Sequence, residues 1–353
     1  MTAVQDAATP AAPVRDFRLI DSTLRDGSHA ISHQYTVDQV VSVVKGLDAA
    51  GVQVIEVTHG DGLSGSSFNY GFSAVDEMAL IEAAVQSTTN AEIAVLLVPG
   101  IGTLDELRRA RDLGVGVVRV AVHCTEADIT QQHIKIAKDL GMEAIGFLMM
   151  SHMNTPQGLL EQAKLLESYG ADTVYIADSA GAMTTNEVRA RVAEIVGGIN
   201  VPLGVHAHQN LSLAVANSIA AYEEGARNLD GTSAGLGAGA GNCPTEILAA
   251  VCEKNGIVSG VDPLMLMDLA EEVTRPLMPR QQVVDRAGLL LGYAGVYGSF
   301  LLHAQKAAER YGVPQADILL ELGRRKVVGG QEDMIIDVAV ELARQHAAQE
   351  VTT

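Results

Sequence analysis

The chain has 353 residues, of which 48% are hydrophobic and 19% are charged, and this composition is typical of a folded globular protein. Lysine and arginine number 24 against 43 for aspartate and glutamate, a formal net charge of -19 that argues against nucleic acid as a partner. No apolar run reaches the length of a membrane span, and the three cysteines lack CxxC spacing. We therefore expect a cytoplasmic protein with reduced thiols and no membrane partner.

The first chemically informative stretch lies near the N-terminus. Residues 1–15 are rich in alanine, threonine and proline and predict a disordered tail. Residues 17–20 predict a first strand and residues 35–50 a first helix. Between them, the run DSTLRDGSH at 21–29 places an arginine, an acid and a histidine on one strand-to-helix turn.

Strand-like and helix-like patterns then alternate through most of the chain. Further strands are predicted at 52–59, 93–98, 115–123, 144–150, 173–177, 203–208 and 228–233, and helices at 75–86, 104–113, 127–140, 156–169, 185–195, 211–224 and 245–255. Apolar strands separated by helices indicate a parallel sheet, and eight such units fit a (β/α)8 TIM barrel. A doubly wound open sheet is the alternative, but no GxGxxG follows the first strand.

Many polar side chains lie at or just past the carboxyl ends of predicted strands, where the loops of a barrel build active sites. They are Arg25, Asp26, His29, His59, His123, His152, Ser179, His206 and His208. Two of them, His206 and His208, are two residues apart on one strand and therefore point to the same side. Two imidazoles and one carboxylate form a typical open metal site, which Asp26 would complete.

The third ligand and the remaining roles have alternatives. Acids that could replace Asp26 in the site are Asp21, Glu56, Asp61 and Asp178. Arg25 favours Asp26, because a guanidinium beside a metal stabilises an enolate oxygen. His29 could be a general base or could cap the first helix. We expect His59, His123 and His152 to line the site, either in hydrogen bonding or in catalysis.

The C-terminal part has a different pattern. The run GLGAGAGN at 235–242 is either an anion cradle or a tight barrel turn without a ligand. After about residue 260 the alternation stops, and helices are predicted at 263–273, 301–311, 316–322 and 334–345. The sequence thus predicts a catalytic barrel over 16–260 and a helical C-terminal domain over 261–347. Tyr297, flanked by Gly295 and Gly298, could reach into a pocket or belong to the core.

Several short motifs of the chain resemble motifs of known enzymes. The runs DSTLRDG at 21–27, HAHQN at 206–210 and GAGN at 239–242 resemble the metal-dependent lyases and synthases related to hydroxymethylglutaryl-CoA lyase and isopropylmalate synthase. More specific runs resemble the 4-hydroxy-2-oxovalerate aldolases of the meta-cleavage pathways for aromatic compounds and steroids. These runs are THGDG at 58–62, SSFNYG at 66–71, HCTEAD at 123–128, DSAG at 178–181, GVY at 295–297 and GGQED at 329–333.

This resemblance implies a reaction and a set of roles. The residues that it assigns to one divalent ion, Mn2+ or another such as Co2+ or Mg2+, are Asp26, His206 and His208. It implies that Arg25 steadies a pyruvate enolate and that His29 takes the C4 hydroxyl proton of the substrate. Ser179 and Tyr297 would contact the substrate, together with Arg25, Asp26 and His206. The catalytic residues that the resemblance implies are His29, Arg25 and Tyr297. The expected reaction is retro-aldol cleavage of 4-hydroxy-2-oxopentanoate to pyruvate and acetaldehyde.

The resemblance also implies a protein partner. Such aldolases pair with an acylating acetaldehyde dehydrogenase, which receives the aldehyde through a channel, and the helical tail is the expected docking element. Two other functions remain open at this point. One is an acyl-CoA-dependent Claisen synthase or lyase with the same metal set, and the other is a catalytically silent barrel that serves only as a partner for the dehydrogenase.

Overall fold

The structure is a computed structural model that describes residues 15–350, so the tail predicted over 1–15 falls outside the described residues except for residue 15. Eight parallel strands pair in chain order and close a barrel. They are β1 Arg18–Asp21, β2 Val54–Glu56, β3 Glu92–Leu97, β4 Val117–His123, β5 Glu143–Met149, β6 Thr173–Asp178, β7 Leu203–Ala207 and β8 Asn228–Gly231. β1 pairs with β8 as well as with β2, which confirms the predicted barrel rather than an open sheet.

Helices follow the strands and continue past the barrel. They are α1 Val37–Ala49, α2 Glu77–Ser87, α3 Leu104–Asp112, α4 Gln131–Asp139, α5 Pro156–Ser168, α6 Thr185–Val196, α7 Ala214–Glu223, α8 Thr245–Lys254, α9 Pro263–Asp268, α10 Arg286–Ala294, α11 Phe300–Tyr311, α12 Gln315–Arg324 and α13 Met334–Glu350. Thr36 and Thr103 fix the starts of α1 and α3, because each accepts a backbone N–H that the helix leaves unpaired. At the start of α6, the side chain of Glu187 accepts from the backbone N–H of Thr184.

Some helix predictions were wrong in detail. The helix expected over 127–140 begins with a 3-10 turn, Ala127–Thr130, and the one expected over 211–224 begins only at Ala214. The helix expected over 263–273 changes at Leu269 into a π-helical turn. α10 was not predicted, because its glycines lower helix propensity.

The apolar residues form three clusters. One fills the barrel interior, a second lies between the sheet and its helices, and the third joins α10 to α13. Leu266 of α9 and Leu269 belong to the second cluster, whereas the third runs from Leu291 to Ala339. The division of the chain at residue 260 stays a prediction. Among residues 15–350, no helix combines the length and the apolar character that crossing a membrane requires.

Candidate active site

The turn after β1 carries Arg25 and Asp26, both buried at the carboxyl end of the barrel. Nη1 of Arg25 donates to Oδ2 of Asp26 at 2.6 Å, and Nε donates to Oε2 of Glu56 at 2.8 Å. The remaining nitrogen, Nη2, is buried and has no hydrogen-bond partner within the described chain. A buried guanidinium N–H without a partner is costly, so this position suits an oxygen atom of a ligand.

The two histidines of β7 meet this turn. Nε2 of His206 lies 3.3 Å from Nε2 of His208, and Oδ2 of Asp26 lies 3.6 and 3.8 Å from these two nitrogens. All three side chains are buried. Ligand atoms bound at about 2.1 Å to one divalent ion are close to one another in this way. The three donor atoms therefore fit a single metal ion.

The charge states of the three candidate ligands favour a bound cation. Burial acts to raise the pKa of the Asp26 carboxyl, but Arg25, His208 and His206 together hold it well below its usual range. Burial lowers the pKa of His208 to about 4, although Asp26 opposes the shift. The pKa of His206 is raised despite burial, because Asp230 and Asp26 accept hydrogen bonds from its ring. The set offers an ionised carboxylate and at least one neutral imidazole at neutral pH.

A layer of buried charges lies behind the histidines. Oδ2 of Asp230 is 2.8 Å from Nδ1 of His206 and accepts from Nη2 of Arg119 at 2.6 Å. Nη1 of Arg119 also donates to Glu56 at 3.2 Å, and Glu56 in turn accepts from Arg25. A carboxylate on Nδ1 directs Nε2 of the same ring toward the metal position. Reasoning from the sequence missed this role of Asp230 and Arg119, although an arginine inside the apolar run 115–123 was a signal.

The glycine loop, residues 235–242, also contacts Asp26. Nδ2 of Asn242 donates to Oδ1 of Asp26 at 2.8 Å, and the backbone N–H of Ala238 points at the same oxygen from 3.4 Å. A Cβ at Gly237 would lie 2.1 Å from Nδ2 of Asn242, so only glycine allows this approach. Oδ1 of Asn242 is buried without a partner within residues 15–350. The loop thus holds the carboxylate in place with one amide oxygen still unpaired.

Comparison with known proteins identifies the family of this chain. A family model described as HMGL-like matches residues 16–273, and one described as a DmpG-like communication domain matches residues 282–344. A relative from Carboxydothermus hydrogenoformans named 4-hydroxy-2-oxovalerate aldolase is 61% identical over 94% of this chain and 98% of its own length. The chain belongs to the 4-hydroxy-2-oxovalerate aldolase family. It is a lyase.

One more relative and one solved structure also match this chain. A 4-hydroxy-2-oxovalerate aldolase from Geobacillus thermodenitrificans is 58% identical and covers 95% of this chain and 98% of its own length. The carboxyl transferase domain of Rhizobium etli pyruvate carboxylase matches at a TM-score of 0.76 over 93% of this chain and 60% of that chain. Because its sequence is only 14% identical, that similarity concerns the fold alone.

His29 lies three residues beyond Asp26, in the 3-10 helix Asp26–Ile31. Its ring lies on the backbone of Gly60, where a Cβ would come within 2.5 Å of Nε2. The ring of His33 is 5.0 Å away, centroid to centroid. His29 is partly exposed, so a ligand can reach it from solvent.

The other predicted site residues have different neighbours. Oγ of Ser179 accepts from the backbone N–H of Met150 at 3.0 Å. Tyr297 packs against Phe300 in the C-terminal apolar cluster, and burial raises the pKa of its phenol. In the described chain, no hydrogen bond joins Ser179 or Tyr297 to the three candidate ligands.

The three lining histidines each contact a different loop. Nδ1 of His59 lies 3.4 Å from Oδ2 of Asp61, and Nδ1 of His123 lies 2.8 Å from Oγ1 of Thr125. Nε2 of His152 lies 3.0 Å from the carbonyl oxygen of Gly295, which connects the barrel to the end of α10. Burial lowers the pKa of His152 to about 4.

Proposed function

We propose that the chain is a divalent-metal-dependent (class II) pyruvate aldolase that cleaves 4-hydroxy-2-oxopentanoate into pyruvate and acetaldehyde. The observation that carries this proposal is the convergence of Asp26, His206 and His208 beside the unpaired Nη2 of Arg25. The substrate is the one in the name of a relative that is 61% identical, and aldol cleavage of that compound between C3 and C4 gives these two products. A metal set next to a free guanidinium N–H suits a 2-oxo acid, which gains negative charge on its C2 oxygen during cleavage.

The ion would be held by Asp26, His206 and His208. Imidazole and carboxylate ligands suit first-row divalent ions, and we propose Mn2+, with Co2+ or Mg2+ as alternatives. When bound, the ion supplies a Lewis acid for the 2-oxo acid and compensates developing charge. Asp230 and Asn242 would keep the ligands oriented through their hydrogen bonds to His206 and Asp26.

Arg25 would act on the C2 oxygen of the substrate. Its Nη2 donates to that oxygen in the ground state and binds more strongly as the oxygen becomes an enolate. Glu56 and Asp26 fix the other two nitrogens, so the guanidinium does not have to reorganise during the reaction. Its charge is secure, because these two acids raise its pKa in spite of burial.

His29 would act as the general base. It takes the proton of the C4 hydroxyl, the C3–C4 bond breaks, and acetaldehyde leaves with the C4 carbonyl formed. The electron pair of the broken bond moves to C3 and the C2 oxygen, and a proton delivered to C3 completes pyruvate. Ser179 and Tyr297 would contact the substrate. Because Oγ of Ser179 already accepts from Met150, its own O–H remains available to donate.

The proposed function is tested by metal removal and replacement. Purified chain is treated with a chelator, and pyruvate release from 4-hydroxy-2-oxopentanoate is measured without CoA, before and after Mn2+ is added back. We expect release to vanish and to return. Release that is insensitive to chelation would refute the metal-dependent mechanism. A strict requirement for CoA would favour the acyl-CoA-dependent Claisen synthase instead.

We further propose that the C-terminal helices bind an acylating acetaldehyde dehydrogenase, which receives acetaldehyde through a channel. The match to a DmpG-like communication domain over residues 282–344 supports this partner. α10 and α11 expose apolar side chains there, with Tyr293 74% and Leu302 66% exposed. In the cell, the pair would act in the cytoplasm in the meta-cleavage degradation of aromatic compounds or steroids.

The docking surface can be tested by size-exclusion chromatography of the chain mixed with such a dehydrogenase. We expect co-elution for the natural chain and loss of co-elution for Tyr293→Glu. Leu264→Glu is the matched control, because Leu264 is 68% exposed on α9, outside residues 282–344. Co-elution of the Tyr293→Glu chain, or its loss in the control, would contradict the proposed surface.

A further inference from the structure

A second group of potential ligands lies beside the candidate metal centre. One donor atom each from His29, His33 and Asp61 lies within 4.8 Å of the others. His33 is buried, whereas His29 and Asp61 are partly exposed. The group joins the turn after β1 to the turn after β2, so it is assembled by the barrel and not by one local motif.

Hydrogen bonds hold the imidazole of His33 in place. The hydroxyl of Ser28 donates to the carbonyl oxygen of Arg25 at 2.7 Å, and its oxygen lies 3.0 Å from Nδ1 of His33. With the Ser28 proton on that carbonyl oxygen, Nδ1 of His33 donates in the second bond and the lone pair of His33 lies on Nε2. The other tautomer carries its proton on Nε2 and donates to the Tyr70 backbone. A bound ion would select the first tautomer, which is the usual form of a metal-binding histidine.

The charge states also suit a cation. Burial lowers the pKa of His33 to about 4, helped by His29 and His59, and Asp61 and the Tyr70 backbone act in the opposite direction. The ring is therefore neutral at pH 7. Burial acts to raise the pKa of Asp61, but the hydrogen bond from His59 and the nearby histidine rings lower it, so the carboxylate is ionised.

The surrounding backbone holds these rings in place. The ring of His59 stacks on that of His33 at 3.6 Å between centroids, with an angle of 23°. A Cβ at Gly60 would lie 2.5 Å from Nε2 of His29, and a Cβ at Gly71 would lie 3.2 Å from Cδ2 of His33. Any residue other than glycine at positions 60 and 71 would therefore crowd the rings of His29 and His33.

We propose that His29, His33 and Asp61 bind a second divalent ion of the late first row, such as Zn2+, with water in the remaining coordination positions. Two imidazoles and one carboxylate are an ordinary ligand set for Zn2+, and such sites prefer Zn2+ to Mn2+. The ion inhibits the enzyme, because it occupies the lone pair with which His29 would deprotonate the substrate. The inhibition rests on the proposed function, whereas the binding does not.

The binding is tested with Co2+, which absorbs visible light when it is bound to nitrogen ligands. Metal-free chain is dialysed against Co2+, and bound ions are counted per chain. We expect two ions for the natural chain and one for Asp61→Asn and for His33→Asn. Asparagine suits position 33, because its φ of 61° is in the left-handed region. One ion in the natural chain that Asp61→Asn keeps, or two ions in Asp61→Asn, would overturn the proposal.

Two further variants separate this site from the first. His303→Asn, at an exposed histidine of α11, controls for the loss of any histidine and should keep two ions. Asp26→Asn should also bind one ion, but at the second site. If the natural chain bound one ion that Asp26→Asn kept and Asp61→Asn lost, the proposed first centre would fail and the second site would stand.

The inhibitory effect is tested by adding Zn2+ to the Mn2+-loaded enzyme. Each variant is compared with its own activity without Zn2+. We expect the Zn2+ concentration for half inhibition to rise about 10-fold or more in His33→Asn, since that is the usual effect of weakening a ligand set. Equal inhibition of the natural chain and of His33→Asn would mean that Zn2+ acts by displacing Mn2+ from the first centre, and would overturn the inhibitory role.

Discussion

Asp230→Asn tests how the charges behind β7 support the candidate metal centre. The carboxylate lies 2.8 Å from Nδ1 of His206 and 2.6 Å from Nη2 of Arg119, through the same oxygen, Oδ2. Asparagine keeps the size of the side chain but carries no charge, and only one of its two terminal atoms can accept. The ring of His206 therefore loses the carboxylate that directs Nε2 forward, and Arg119 keeps only Glu56 as an acidic partner.

The magnitudes follow from these contacts. Losing the partner behind a metal-binding histidine reduces metal affinity about 10- to 100-fold, which corresponds to roughly 1.4–2.7 kcal/mol. Removing one partner of a buried charge costs about 3–5 kcal/mol of stability, and we expect about 3 kcal/mol because Glu56 still compensates Arg119. Asp230 and its two partners, His206 and Arg119, are buried, so solvent does not screen the loss.

The assay is Mn2+ binding to the metal-free chain by titration calorimetry, together with urea unfolding without metal. Asp178→Asn is the matched control, since this buried acid accepts from the backbone N–H groups of Ala182 and Met183 and touches neither candidate ligand histidine. The control should lose stability but keep its Mn2+ affinity. Unchanged Mn2+ affinity in Asp230→Asn would refute the reasoning, and equal losses in both variants would show only general destabilisation.

Four further changes have defined outcomes. Arg25→Ala should lower kcat of pyruvate release about 100-fold, or roughly 3 kcal/mol, and an effect confined to KM would contradict its enolate role. His208→Ala should abolish Mn2+-dependent release while circular dichroism remains unchanged; full activity would refute the ligand assignment. His29→Ala should remove the acid limb of the pH–rate profile, and an unchanged profile would place the base elsewhere. His152 is held neutral, with a pKa of about 4, below the value of about 6.5 for unfolded histidine. Its contribution to stability is therefore complete above pH 6.5 and falls by up to about 3 kcal/mol toward pH 4. Urea unfolding of His152→Gln should show a smaller loss between these pH values, and an equal loss would refute the assignment.

The sequence by itself determined the barrel and which polar residues lie at the carboxyl ends of its strands. Strand and helix periodicity is local, and the carboxyl ends of parallel strands in a barrel meet at one face, so Asp26, His206 and His208 could be grouped without coordinates. It also indicated the glycine loop, but could not choose between an anion cradle and a structural turn. The structure shows that this loop contacts the carboxylate of Asp26.

The tertiary structure decided which polar groups meet across the barrel. The alternatives to Asp26 were Asp21, Glu56, Asp61 and Asp178, and each has other partners. They are Thr23 and Thr245 for Asp21, Arg25 and Arg119 for Glu56, His59 for Asp61, and two backbone N–H groups for Asp178. Arg119 and Asp230 are 111 residues apart in the chain and pair only because the barrel closes. Such pairing depends on register and distance between strands, which local patterns do not encode.

α10 shows the same limit for secondary structure. Gly288 and Gly292 lower its helix propensity, so the sequence pattern did not predict it. In the structure these glycines let the helix lie close to the barrel loops: a Cβ at Gly292 would come within 2.9 Å of Cβ of Asn210, and one at Gly288 within 3.1 Å of Cβ of Ala240. Nδ2 of Asn210 donates to the carbonyl oxygen of Gly288 at 3.0 Å. Packing against the barrel therefore stabilises a helix that its own residues would not favour.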